Sequence, residues 1–150
     1  MLREEFTFCH ALRVRWAEVD RQDVVFNANY FLYFDVAIAE YWRAIAFDYP
    51  AEITRLGMDI FAIKASAEYH GSARYDELLD VCCRTERIGR SSMTLRFGIW
   101  RAAEHLTSGE LVYVNAELAT KKGAPWPAFL REKILAFERT APDIAGEPRS

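Results

Sequence analysis

From Phe6 onward the apolar and polar positions alternate. Phe6, Phe8, Leu12, Val14 and Trp16 fall on one side, and Thr7, Cys9, Arg13 and Arg15 on the other, a period of two that predicts a half-buried strand. His10 interrupts the apolar side, where a single imidazole reads as a hydrogen-bonded core residue rather than a base. The period then lengthens. Tyr30, Phe34, Ala37, Ile38, Tyr41 and Ile45 recur at helical spacing, and Phe31, Leu32 and Trp42 carry apolar surface around most of the circumference, which predicts a long helix buried on several sides. Asn27 stands just ahead of it as a candidate N-cap. Four further strands follow. Phe61, Ile63, Ala65, Ala67 and Tyr69 alternate in the first, Leu78 to Ile88 forms the second, Met93, Leu95, Phe97 and Ile99 mark the third, and Val112, Val114, Ala116 and Leu118 mark the apolar face of the last. "HGSARYDE", "GRSS" and "AAEHLTSGE" supply the turns between them, and His70 and His105 in those turns read as solvated. Pro127, followed by Leu130, Ile134 and Phe137, predicts a short final helix. One strand, a long helix, four strands and a short helix give an α+β layout, an antiparallel sheet with the helix on one face.

Composition narrows what such a layout can do. The 150 residues suit one domain, expected over residues 1–139, with "TAPDIAGEPRS" (140–150) reading as a flexible tail. Acids and bases are interspersed at a formal net charge of -3, so there is no basic stripe to meet nucleic acid. The chain opens without a secretory pattern, and its most apolar segment, 28–47, contains Asp35, Glu40 and Arg43, so no membrane partner is expected and the reading is a soluble, cytoplasmic protein. Cys9, Cys82 and Cys83 form an odd set without metal-ligand spacing, which fits buried, reduced structural thiols.

Familiar catalytic signatures are absent: no G-x-S-x-G elbow, P-loop, G-x-G-x-x-G or H-E-x-x-H occurs. The stretch "EVDRQDVVFNANYFLYF" (18–34) instead runs three acids, Glu18, Asp20 and Asp23, into the start of the aromatic helix. A carboxylate beside the unpaired amides of a helix start suits acyl transfer, because one group can activate water or attack a carbonyl while N–H groups hold the oxyanion. Glu18 shares the side of Asp20 by period two, or is a solvated edge residue or a partner for Arg15 or Arg21.

"VRWAEVDRQDVVFNANYFLYFD" resembles the signature of the 4-hydroxybenzoyl-CoA thioesterase-like family of the hotdog superfamily, with its V-x-[FW]-x-[DE]-x-D start and N-Y-x-x-[YW]-[FL]-[DE] on the helix. The likeness extends through "ARYDELLDV" and "PWPAFLRE", nearly the whole chain. It implies a curved antiparallel sheet wrapped around one long helix, homodimers joined through their sheets and often paired into tetramers, and hydrolysis of acyl-CoA thioesters without metal or other cofactor. Carried over residue by residue, the catalytic carboxylate falls on Asp20, and the position whose backbone amide polarises the thioester carbonyl falls on Asn27. The turn that contacts CoA falls around Arg87 to Ser92, with Arg90 to pair phosphate and Ser91 or Ser92 to donate hydrogen bonds. The resemblance places the acyl group, aryl or of short to medium length, against Phe26, Tyr30, Phe31 and Phe34 or their symmetry mates. Asn29 and Tyr30 match the motif as supports of the helix start and core.

Two positions depart from the family pattern. Asp23 stands where many relatives have Gly, adding a negative charge near Asp20 of the kind that raises a carboxyl pKa. Asn27 stands where one branch carries a catalytic His, which favours the variants that rely on Asp. Two rivals stay open: a non-catalytic acyl-CoA-binding module, and a hotdog hydratase or dehydratase, which would want that His. Carrier-protein thioesters are the alternative to CoA as substrate.

Overall fold

The computed structural model describes residues 1–146. Its elements are β1 (Phe8–Arg13), α1 (Asn29–Ala44), α2 (Ala51–Thr54), β2 (Met58–Tyr69), β3 (Leu78–Ile88), β4 (Ser92–Arg101), β5 (Glu104–Glu117), α3 (Ala128–Phe137) and β6 (Asp143–Ile144). The sheet runs in the order β1-β3-β4-β5-β2, antiparallel throughout, and β6 adds a short parallel pairing to the far end of β3. β1 and β2 are therefore its two edges, and α1, which links them, lies across one face against β3, β1 and β2. The expected α+β arrangement of a sheet around one long helix is the one found.

The helical spacing explains why α1 sits there. Tyr30, Phe34, Ala37, Ile38 and Tyr41 are all buried, as are Tyr33 and Trp42 beside them. Phe34 stacks on Phe97 of β4 at 4.6 Å between ring centroids, and full burial of such a ring is worth about 2–3 kcal/mol. The cross-strand partner of Phe97 is Gly109 of β5, and a Cβ there would stand 2.3 Å from the Phe34 ring. The contact requires glycine.

β5 presents the opposite face from the one its apolar residues suggest. Leu95 and Phe97 are buried under α1, and register pairs them with Leu111 and Gly109, so Leu111 and Tyr113 face the helix. Val112 and Val114 lie half-buried on the other side. Register with β4 overrides local alternation here. β2 also differs: Phe61, Ile63 and Tyr69 are exposed, with Ile63 at 64%, along a twelve-residue edge that bulges between Ala62 and Lys64.

At the other edge, β1 is shorter than its alternation predicts. Val14 is buried on the helix side as expected and Phe6 is buried on the opposite face beside Cys9, but Trp16 leaves the strand in a tight 3-10 turn over Trp16–Glu18 and is 72% exposed against Tyr75. The expectation of three reduced thiols is corrected for two of them. Cys9 and Cys82 face each other across β1 and β3 and are joined in a disulfide, leaving Cys83 as a buried free thiol. The pair lies on the sheet face away from the core cluster, packed with Phe6 and Trp100.

α3 follows Pro127 as predicted and buries Leu130 and Ile134. Just beyond it Glu138 is buried, accepting hydrogen bonds from the Tyr41 hydroxyl at 2.7 Å and the Thr85 amide at 3.3 Å. The tail expected from Thr140 is thus paired with β3 at Asp143 and Ile144, and its last four residues, 147–150, lie outside the described residues. Among the described residues no helix is long and apolar enough to cross a membrane.

Candidate active site

The segment between β1 and α1 is built in two tight turns. Val14 closes the end of the strand, its amide donating to Glu77 O at 2.9 Å and its carbonyl accepting from the Asp76 amide at 3.0 Å. The chain then folds back so that the Glu18 carboxylate accepts from the Arg15 amide (2.8 Å), Arg15 Nε and Nη2 (3.0 and 2.7 Å) and the Tyr33 hydroxyl (3.0 Å). Glu18 is only 8% exposed, so it is no solvated edge residue and does not share a strand face with Asp20. Its partnership with Arg15 is as expected. Burial pushes the carboxyl pKa up, but the hydrogen bonds from Arg15 and Tyr33 outweigh it and hold the group below its ordinary value. The Tyr33 phenol is driven upward, by burial first and by the Glu18 bond and charge next.

A second turn follows at once. Val19 and Val25 bridge, the Asp20 amide donates to Val24 O at 2.9 Å, and the Asp23 amide donates to Asp20 O at 3.0 Å. One carboxylate oxygen of Asp20 accepts from the Gln22 amide at 2.7 Å, and the other has no protein partner among the described residues. Asp23 takes φ +61°, the left-handed conformation that glycine adopts freely and aspartate tolerates. The departure from the family pattern at this position therefore keeps the backbone a glycine would give.

This turn delivers the chain to the helix. Glu18 O accepts from the Phe26 amide (3.0 Å) and from Asn29 Nδ2 (2.9 Å), so one carbonyl ties the acidic turn to the start of α1. Asn29 supports the helix start as expected; Asn27 does not cap it. The boundary residue is Ala28, without a side-chain cap, and Asn27 instead offers its carbonyl to the Tyr69 hydroxyl at 2.9 Å. The amides of Asn27 and Ala28 are left without an acceptor among the described residues, and both residues are exposed. A free carboxylate oxygen and two free N–H groups thus share one short loop, at the positive end of a 16-residue helix.

The aromatic residues separate. Phe26 is exposed and Phe31 half-buried, whereas Tyr30 and Phe34 belong to the core, Tyr30 accepting from the Ala73 amide at 3.1 Å. Those two present almost no free surface in the single chain. Arg90, Ser91 and Ser92 form the β3–β4 turn, fastened by Trp126, whose amide donates to Arg90 O and whose ring N–H donates to Ser92 O. Arg90 is exposed and makes no ion pair among the described residues. β1 pairs Arg13 with Leu78, so the Asp20 loop lies at the start of β3 and the Arg90 turn at its end. Eleven residues of strand, roughly 35 Å, separate them within one chain.

One contributor escaped the sequence reading. Tyr69, which fixes the Asn27 carbonyl, is 42 residues away and carries no local signal beyond its strand alternation. No group of three or more His, Cys, Asp or Glu side chains that could hold a metal occurs among the described residues.

Comparison with known proteins gives consistent results. The family model described as the thioesterase superfamily matches residues 22–108. A protein of Aquifex aeolicus (strain VF5) named "Putative esterase" is 29% identical over 94 residues, 63% of this chain and 73% of that protein. Among solved structures, a 1,4-dihydroxy-2-naphthoyl-CoA thioesterase from Synechocystis superposes with a TM-score of 0.78 at 19% identity, covering 85% of this chain and 94% of its own. A DHNA-CoA thioesterase from Staphylococcus aureus gives a TM-score of 0.72 at 24% identity, covering 78% of each chain.

Proposed function

Because the chain belongs to the thioesterase superfamily, we propose that it hydrolyses acyl-CoA thioesters, with Asp20 as the reacting carboxylate and the amide of Asn27 as oxyanion donor. The observation that carries this reading is that the one connection between β1 and α1 carries both a free Asp20 oxygen and two unpaired amides, at 27 and 28. In one route Asp20 takes a proton from water, the water oxygen attacks the thioester carbonyl, and the charge on the carbonyl oxygen is met by the helix-start N–H. Collapse expels CoA as thiolate, which takes up a proton. In the other route Asp20 itself attacks, CoA leaves, and water hydrolyses the resulting mixed anhydride. Loss of one comparable oxyanion donor costs about 3 kcal/mol in catalysis.

The acyl group, aryl or of short to medium length, lies along Phe26 and Phe31, which keep free surface where Tyr30 and Phe34 do not. CoA meets the turn of Arg90, Ser91 and Ser92 on a second copy of the chain. A two-fold axis that pairs the exposed β2 edges runs the second sheet in the reverse direction, so its β3–β4 turn comes to the end of the sheet where Asp20 stands. This brings the two to the same end of the joined sheet and covers the apolar edge of β2. Such a homodimer is the smallest complete unit, and two of them form a tetramer.

The test is a panel of aryl-, short- and medium-chain acyl-CoA thioesters, with matched carrier-protein thioesters, monitored for thiol release in wild type and Asp20→Asn. Turnover confined to the wild type is expected. Equal turnover in Asp20→Asn removes Asp20 from the mechanism, and no thiol release from any substrate removes hydrolysis.

A further inference from the structure

We propose that Cys9 and Cys82 are a reversible thiol–disulfide couple that sets how firmly the edge strand β1, and the Asp20 loop it leads into, is held to the sheet. The inference goes beyond hydrolysis and does not depend on it.

Its first support is placement. Cys9 and Cys82 are 73 residues apart in sequence yet occupy directly paired positions on β1 and β3, with their sulfurs joined. Side chains at paired positions on antiparallel strands project to the same face, so the two thiols meet whenever the register forms. Cys83, one residue on, points to the opposite face, where it is wholly buried in the core cluster. Burial, then the charge of Glu138, raises its thiol well above the ordinary range, so it competes neither as a thiolate nor by position.

The second support is unequal access. Cys82 is fully buried beneath Phe6 and Trp100, whereas Cys9 is half-buried at the sheet edge. An incoming thiolate reaches Cys9 first, and Cys82 is the resolving partner. Glutathione disulfide is the oxidant: Cys9 thiolate attacks it and expels one glutathione. Cys82 thiolate then attacks the mixed disulfide and expels the second, so two thiol protons leave and two electrons pass to the glutathione pair. Reduced glutathione reverses both steps.

The third support is what the bond restrains. β1 is six residues long and has β3 as its one long neighbour in the sheet. Past Arg13 it continues through the Val14 bonds into the Glu18 turn and then Asp20, so loosening β1 loosens the foundation of that loop. A covalent tie at Cys9 keeps the edge in register where backbone hydrogen bonds alone would fray.

The whole protein equilibrated in glutathione buffers from fully reduced to fully oxidised, quenched in acid, unfolded and alkylated, gives the thiol count by mass spectrometry. Expected is a reversible loss of two labels, with a Cys9–Cys82 linked peptide, while Cys83 stays labelled throughout. Deuterium uptake over residues 8–20 of the wild type is expected to rise several-fold on reduction, with Tm falling by about 10 °C. The Cys9→Ser variant is expected to hold the faster exchange in both buffers, and because the wild type carries both redox states, the test does not depend on that variant folding. Retention of three labels in the oxidising buffer overturns the proposal. So does a linked pair whose reduction leaves exchange over residues 8–20 unchanged.

Discussion

The Glu18 carboxylate accepts four hydrogen bonds, three from Arg15 and one from Tyr33, whereas that of Asp20, two residues on, accepts one, from the Gln22 amide. Both acids lie in the same connection between β1 and α1, in consecutive turns, and both belong to one short acidic motif. The turn at 15–18 is closed: its carboxylate is buried, saturated and held charged by a guanidinium. The turn at 19–25 is fixed through its backbone, by the Val19–Val25 bridge and the Asp20–Val24 bond, and that leaves one side-chain oxygen uncommitted. Rigid backbone with an idle carboxylate is the arrangement preorganised catalysis requires, since a group already engaged must first break its bonds.

The contrast can be broken from either side. Asp20→Asn is expected to lower kcat/KM for the best thioester by roughly 10²–10⁴-fold, the range of a lost general base, while Tm stays close to wild type. Glu18→Ala is expected to do the reverse: a loss of about 2 kcal/mol in denaturant unfolding, because the Tyr33 hydroxyl and the Arg15 amide lose a shared acceptor. Acid sharpens the same point. The folded pKa of Glu18 lies below its ordinary value, so its contribution is whole above the ordinary carboxyl range and disappears as pH falls through the folded pKa. The difference in stability between wild type and Glu18→Ala is therefore expected to narrow on acidification, measured by unfolding at stepped pH. Smallest of all, Asp23→Gly is expected to change stability by less than about 1 kcal/mol, since φ +61° suits glycine at least as well. A large loss there would show that the Asp23 side chain carries the turn.

The sequence made α1 legible because its buried residues repeat every three to four positions and depend on no register; Tyr30, Phe34, Ala37, Ile38 and Tyr41 are all core. β5 was misread because strand faces are settled by the neighbour. Val112 and Val114 are the more apolar set, but Gly109 and Leu111 are the ones opposite Phe97 and Leu95. The acidic motif marked out the connection between β1 and α1, and the different bonding of its acids was hidden. Glu18 owes its burial to Tyr33, fifteen residues on, and the Asn27 carbonyl owes its bond to Tyr69. The cysteine pairing was equally out of reach, since two positions 73 residues apart become opposite only once β1 and β3 have found their register.

Gly109 lets the Phe34 ring settle onto the sheet, and so sets the clearance at which α1 rides above it. A helix is stiff along its axis, so that clearance is transmitted to its first residues. Were position 109 to gain a single methyl, the ring would have to lift, and the first turns of α1 with it. One missing carbon in the middle of β5 thus acts as the height gauge for the start of the helix.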